Sequence, residues 1–433
     1  MNKVKIGDLL TRVKEPIDIE EDKQYKRVTI KTNNQGVYLR DIEFGRNIGT
    51  KKQFIIHEGQ FLLSKIDARN GAFGIVPNDL DGAIITGNFW AYEVNHELLN
   101  IEWFNIFVSS REFIDICDRA SSGTTNRRYL DENKFLNFTI SLPSFNEQSL
   151  FVENFKWIKQ KFDFIMSELS YQYDLIIKLR QSILQEAVEG KLVPQDPNDE
   201  PASVLLEKIK EEKERLIKEG KIKKEKPLPP ISEDEIPYEL PEGWEWVRLG
   251  EVTNYAYNET LKPDEIDEEE WVLELEDIEK DTSRLIQVIR NKDRKSKSNK
   301  NRFYKGDVLY GKLRPYLKKV LVAPEDGVCS TEIIPFRGYG NIESRYIMYI
   351  MKSPYIDKIV NSITHGMNMP RLGTKNALEL LIPLPPINEQ KRIVEKVDQL
   401  MALCDELEKN IEQSKKDCEL LIQSVLQEAF KEA

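Results

Sequence analysis

One stretch of the chain occurs twice, and it constrains the fold more than any other feature. It runs from Asn146-Glu147-Gln148 to Gln181-Ser182-Ile183-Leu184-Gln185-Glu186-Ala187. It returns as Asn388-Glu389-Gln390 through Gln423-Ser424-Val425-Leu426-Gln427-Glu428-Ala429, an offset of 388 − 146 = 242 residues at both ends. The apolar positions keep the same offset. Phe151, Phe155, Ile158, Phe162, Ile165 and Leu169 step by four and three, Gln172 interrupts, and Ile176, Leu179 and Ile183 resume. The second copy reads Ile393, Val397, Leu400, Cys404, Leu407 and Ile411, then Ser414, then Cys418, Leu421 and Val425. Such an alternation draws a narrow apolar seam along one side of a long helix, and a seam of that kind needs a similar one opposite. Two equal seams in one chain most simply zip onto each other. The spacing does not choose between parallel and antiparallel packing.

At 433 residues there is room for two or three domains with cores of their own. Cys117, Cys329, Cys404 and Cys418 form no Cys-x-x-Cys pair, which suits a reducing cytoplasm and argues against a disulfide scaffold or a zinc site. The start of the chain has no apolar signal core, and no apolar run approaches a membrane span, so a soluble intracellular protein is expected. The net charge of −11 argues at first against a nucleic-acid partner, but it hides segregation. Arg284 to Lys319 holds thirteen Lys and Arg against Asp293 and Asp307, whereas Glu259 to Asp281 holds twelve acids against Lys262 and Lys280. Local fields of this size are invisible in a net charge.

Residues 1–145 read as a mixed globular domain. Short β-rich runs such as Gln53-Phe54-Ile55-Ile56 and Gln60-Phe61-Leu62-Leu63 are punctuated by glycines, and a helical stretch follows around Ile101 to Cys117. The first long helix is expected over 146–190. Gly190 and Pro194 stop it. The segment 191–241 carries a short charged helix from Pro201 to about Glu219, expected to be mostly solvated. Five of the chain's twenty prolines then mark an extended linker from Lys221 to Pro241. The plan repeats in a second domain over 242–387 and a second long helix over 388–433. Ile6-Gly7-Asp8 answers to Leu249-Gly250-Glu251, and Gly59 through Lys65 to Gly306 through Lys312. Gly123 with Arg128 answers to Gly366 with Arg371, and Leu142-Pro143 to Leu384-Pro385. The domains have diverged far more than the helices, as expected of like scaffolds carrying unlike surfaces.

These residues resemble the specificity subunit of type I restriction-modification systems. The most specific signals are Leu142-Pro143 through Gln148, Leu384-Pro385-Pro386-Ile387-Asn388-Glu389-Gln390, Leu179 through Ala187 with Gly190-Lys191-Leu192-Val193-Pro194, and Leu240-Pro241-Glu242-Gly243-Trp244. The resemblance implies an α+β chain of two pseudo-symmetric mixed α/β target recognition domains, each reading half of a split site in double-stranded DNA. It also implies that the two long helices pack antiparallel, set the distance between the half-sites and dock methyltransferase subunits, two of them expected, together with restriction and motor subunits.

The chain's own chemistry fits a subunit that catalyses nothing. It has no Asn-Pro-Pro-aromatic tetrad, no glycine-rich loop for a methyl donor and no Gly-x-x-x-x-Gly-Lys-Ser/Thr phosphate loop. His57, His96 and His365 lie at unrelated spacings, so neither a metal nor a cofactor is expected. Three features carry the expectation of DNA binding. The first is the basic run with Arg294, Lys297 and Arg302, which can supply phosphate contacts; its rival is a solvated loop balancing the acidic neighbour. The second is the pair of post-strand segments bearing Lys65 and Arg69, and Lys312, Arg314 and Tyr316, where Lys and Arg can meet guanine edges. The third is the pair of glycine-centred loops. One holds Ser122, Thr124, Thr125, Asn126, Arg127 and Arg128, and the other His365, Asn368 and Arg371. The competing reading is a coiled-coil scaffold that joins protein partners without reading DNA. The acidic net charge favours it, and the segment from Arg284 to Lys319 speaks against it.

Overall fold

The structure is a computed structural model that describes residues 2–124, 127–224, 226–255, 257–364 and 369–430, with the side chains of 124 and 127 also outside the described set. The chain divides into two compact units, residues 1–170 with 412–433 and residues 171–411.

In the first unit, Asn2–Lys5 pairs antiparallel with Thr139–Leu142, so the domain closes on itself just before the first long helix, Phe145–Val188. A four-stranded sheet runs in the order Leu10–Val13, Phe89–Val94, Phe61–Ser64, Phe73–Ile75. Its apolar face lies under two helices, Ile101–Val108 and Arg111–Arg119. Aromatic side chains fill this layer. Phe61 meets Phe104 at 5.0 Å and 71°, and Phe73 meets Phe113 at 5.0 Å and 86°. Both are edge-to-face contacts, which the ring quadrupoles favour. A five-stranded sheet (Glu15–Asp18, Lys52–Ile56, Ala83–Ile85, Gln24–Lys31, Gly36–Phe44) completes the domain.

The second unit repeats the frame. Glu245–Arg248 pairs antiparallel with Leu381–Leu384 ahead of the second long helix, Ile387–Phe430. The sheet of Val320–Val322, Val308–Gly311 and Ile333–Phe336 packs on Ser344–Lys352, which is followed by Pro354–Ile363. The other sheet differs between the units. Here it has four strands, Thr260–Leu261, Lys300–Phe303, Gly327–Ser330 and Val272–Leu273, closed by Trp271 against Phe303 at 5.2 Å.

Both units fasten their long helix through the same residue of the repeated Asn-Glu-Gln. Gln148 is buried. Its Nε2 donates to the carbonyls of Leu98 and Pro143, and its Oε1 accepts from the Asn100 amide. Gln390 is likewise buried, donating to Pro385 and accepting from the Glu343 amide. A buried amide with donor and acceptor both satisfied keeps the domain on its helix at little net cost.

The helices run antiparallel within each unit. In the second, Tyr173 Oη donates to Glu408 at 3.2 Å and Arg180 Nη2 to Asp405 at 2.5 Å, so partner numbers fall as the first helix advances. In the first, Phe151 near one helix's start meets Phe430 at the other's end, 5.3 Å apart. Phe155, Ile158, Phe162, Leu169 and Ile176 face inward, as do Val397, Leu400, Cys404, Ile411 and Cys418. Four expected seam residues do not. Ile165 and Leu179 are 42% and 46% exposed, and Leu407 and Leu421 are 48% and 65% exposed. Their inward places are taken by Met166 and Arg180, and by Glu408 and Ile422. A step of four replaces a step of three after Phe162 and again after Cys404. A helix of 3.6 residues per turn drifts off a strict seven-residue repeat, and an added four brings the stripe back into line. Tyr173 and Lys415 consequently turn inward, while Gln172 and Ser414 stay outside.

The segment between the halves is fastened more firmly than its composition suggests. The helix Ala202–Lys218 buries Ala202, Leu205 and Ile209, the last two against Gly340. Gly340 has φ +62°, and a Cβ there would lie 2.6 Å from Ile209, so glycine is required. The proline-rich stretch is extended, yet the buried Arg248 guanidinium donates to the carbonyls of Pro229 and Pro230, and Tyr238 Oη donates to that of Val188.

Candidate nucleic-acid interface

In the first unit the strand Phe61–Ser64 ends at Lys65, whose backbone joins two distant segments. Its amide donates to the Asn88 carbonyl at 3.0 Å, and its carbonyl accepts from the Leu130 amide at 2.8 Å. Ser64 Oγ accepts from the Asp67 amide, and a short 3-10 turn, Ala68–Asn70, carries Arg69. Arg69 is half-buried with its Nε unpartnered among the described residues. Ser122 is exposed beside Gly123, which has φ +136°. Thr125 and Asn126 lie outside the described residues, as do the side chains of Thr124 and Arg127.

The second unit makes the same crossing. The Lys312 amide donates to the Glu332 carbonyl at 2.9 Å, the Leu372 amide to the Lys312 carbonyl at 3.0 Å, and the Arg314 amide to the Pro370 carbonyl at 2.8 Å. Arg314 and Lys318 both take φ +50°, so this loop holds non-glycine residues in the left-handed region. Arg314 and Tyr316 project outward, Tyr316 being 44% exposed. His365 and Asn368 fall outside the described residues. The post-strand segment and the segment leaving the glycine-centred loop, expected separately from sequence, therefore meet in each half. A third segment joins them, contributing Asn88 or Glu332. Sequence reasoning missed both, although each precedes the strand that pairs with the post-strand segment's own.

The basic run is largely consumed by its acidic neighbour. Arg294 donates to both oxygens of fully buried Asp277 at 2.7 Å, and Arg302 pairs with Glu270 at 2.8 Å. Lys292 pairs with Glu269 and Lys300 with Glu274. Burying a carboxylate demands a cation beside it, so Arg294 and Arg302 are structural residues, against expectation. Arg128 is also turned inward, donating to the Asp118 carboxylate at 2.8 Å and to the carbonyls of Asp118 and Ser121. Lys295, Lys297 and Arg314 form no salt bridge among the described residues. They border a cleft of about 670 Å³ with Lys319 and Met369. Arg371 pairs with Glu332 at 2.9 Å, and that hydrogen bond raises the guanidinium's pKa and lowers the carboxylate's. Protruding cations beside loop amides can neutralise phosphates and present paired donors to base edges.

Among the described residues no group of three His, Cys, Asp or Glu could hold a metal ion, and no helix is long and apolar enough to cross a membrane. Residues 1–169 and 241–414 match the family model described as type I restriction modification DNA specificity domain. The chain is 34% identical over 337 residues to the type I restriction enzyme EcoAI specificity subunit of Escherichia coli, covering 72% of this chain and 53% of that protein. It is 39% identical to the EcoEI specificity subunit over 54% of this chain and 40% of that one. It thus spans about half the length of these curated relatives or less. Among solved structures, a chain from work on complex assembly and conformational transition of the type I R-M system superposes with TM-score 0.67 at 18% identity, covering 99% of this chain and 97% of that chain. The HsdS subunit from Thermoanaerobacter tengcongensis superposes with TM-score 0.56 at 17% identity, covering 99% and 96%. Both show the fold.

Proposed function

The chain belongs to the type I restriction-modification DNA specificity family, and on that premise we propose that it is the sequence-reading subunit of such an enzyme. Domains over residues 1–145 and 242–387 each read one half of a bipartite site in double-stranded DNA. The helices over 146–190 and 388–433 set the spacer, and 191–241 links the halves. The subunit catalyses nothing itself. Two methyltransferase subunits dock on the helices and supply methylation, and restriction and motor subunits join them.

The observation that carries this reading is the crossing made twice. In both halves the segment after an equivalent strand is hydrogen-bonded to the segment before its neighbour and to the segment that leaves the glycine-centred loop. Lys65 and Arg69 stand at one crossing, and Lys312, Arg314, Tyr316 and Arg371 at the other. Two like frames with unlike residues at the same place suit two readers of different half-sites. The test is DNA binding by the chain assembled with its methyltransferase, over a range of salt. Specific binding whose affinity falls with salt supports the reading. Assembly without any preference for sequence would leave the scaffold alternative standing.

A further inference from the structure

In the second domain an arginine and a glutamate meet where the three segments cross. Arg371 Nε lies 3.1 Å from both oxygens of Glu332, and Nη2 lies 2.9 Å from one of them. The backbones are fixed at the same place. Lys312 donates to the Glu332 carbonyl, and Leu313 bridges to Arg371. The Arg371 side chain remains 44% exposed. A guanidinium holds five N–H donors in one plane. Glu332 occupies the edge made by Nε and Nη2, which leaves the outer edge of Nη1 and Nη2. Among the described residues, the contact there is a long one, Nη1 to the Met369 carbonyl at 3.5 Å.

That outer edge has the spacing of guanine O6 and N7, the pair that arginine takes two-pronged in a major groove. A lone exposed arginine samples many rotamers and pairs with any nearby phosphate. One gripped along its inner edge by a carboxylate is held in a single plane, and the carboxylate's charge disfavours a phosphate at the same spot. The first domain is built differently: Leu130 donates to the Lys65 carbonyl as Leu372 does to that of Lys312, so Tyr129 rather than an arginine stands where Arg371 does. Arg128 is spent on Asp118 and on the carbonyls at a helix end, and Asn88 stands where Glu332 does.

We propose that Arg371 reads a guanine in the half-site of the second domain and that Glu332 is the positioning residue that holds its plane. The assignment rests on the DNA-reading function proposed above and adds the base and the pair of side chains. The experiment uses the full chain assembled with its methyltransferase subunits and a DNA pool randomised over both half-sites, scored base by base for wild type, R371K, E332Q and the double variant. Wild type selects guanine at one position of the second half-site. R371K keeps the charge but loses the fork, so discrimination there falls about tenfold or more while other positions hold. E332Q relaxes the same position and adds little once R371K is present. Thermal melts stay unchanged, as expected for an exposed pair. A loss spread evenly over all positions in R371K, or an unaltered second half-site, would overturn the assignment. A wild-type complex with no base preference in either half would instead overturn the function on which it rests.

Discussion

Single side chains decide how each domain is held to its helix. Gln390 is the clearest case, because replacing it with leucine leaves the Glu343 amide and the Pro385 carbonyl buried without their partner. Each orphaned group costs about 1–3 kcal/mol, so Gln390→Leu is expected to destabilise the second unit by about 2–5 kcal/mol in denaturant titrations. A loss under about 1 kcal/mol would show that the amide is not a fastening. Lys352 makes a prediction about pH. Burial, then Arg180 and Lys318, depress its pKa to about 8, while Asp281 and Asp405 oppose the shift. A lysine depressed in the folded state binds fewer protons there than in the unfolded chain, so its cost is full below about 8 and is relieved as pH rises toward the ordinary 10.5. Wild type should therefore gain stability between pH 8 and 10 relative to K352M, measured as the difference between paired melts. A constant difference would mean that the lysine is not desolvated. At this scale the sequence was least legible. Arg294, Arg302 and Arg128 read as free cations, and whether a cation is free depends on which carboxylate the fold brings beside it. Asp277 and Arg294 are close in sequence, yet only the folded sheet buries the acid and so commits the base.

Elements were far more legible than side chains, because repetition and periodicity survive without coordinates. The two long helices, the strands that close each domain ahead of them and the paired short helices all stand at matching places. The seam was legible in its period but not in its phase past Phe162 and Cys404, since a strict heptad cannot register an added step of four. The correction has a consequence. Ile165 and Leu407 share the 242-residue offset, as do Leu179 and Leu421, and all four face solvent. Outward apolar positions kept at equivalent places on both helices suit one kind of partner docking twice. Replacing Ile165 and Leu407 by lysine should leave the melt of the free subunit within about 0.5 kcal/mol, as for surface changes generally, while reducing co-purification of the methyltransferase. Unchanged assembly with an unchanged melt would assign docking to another face. Charge also marks which domain belongs to which helix. Glu102 pairs with Lys156 in the first half, and Arg345 with Asp398 in the second, with the signs reversed at matched helix positions. Such exposed pairs add little stability, but a domain set against the wrong helix would meet a like charge.

For the whole molecule, the proposed function turns on length. A helix advances about 1.5 Å per residue, so one heptad is about 10 Å, close to three base pairs of about 3.4 Å each. If the helices set the spacer, the deletion must respect both their seam and their pairing. One heptad is taken from each helix at matched positions, so that apolar residues still meet apolar residues and the repeated Asn-Glu-Gln anchors are untouched. The regular stretches from Leu169 to Ile183 and from Ile411 to Val425 are the places to cut, because the added step of four lies outside both. These stretches are equivalent rather than opposite, so the residues between the two cuts pair again one heptad along, apolar still against apolar. The shortened subunit should still assemble, keep both half-site sequences and methylate sites whose unread spacer is about three base pairs shorter. Methylome sequencing reads all three properties at once. Changed half-sites would mean that the deletion disturbed the readers, and lost methylation would mean failed assembly. Intact half-sites around a spacer of the original length would show that something other than the helices sets the distance.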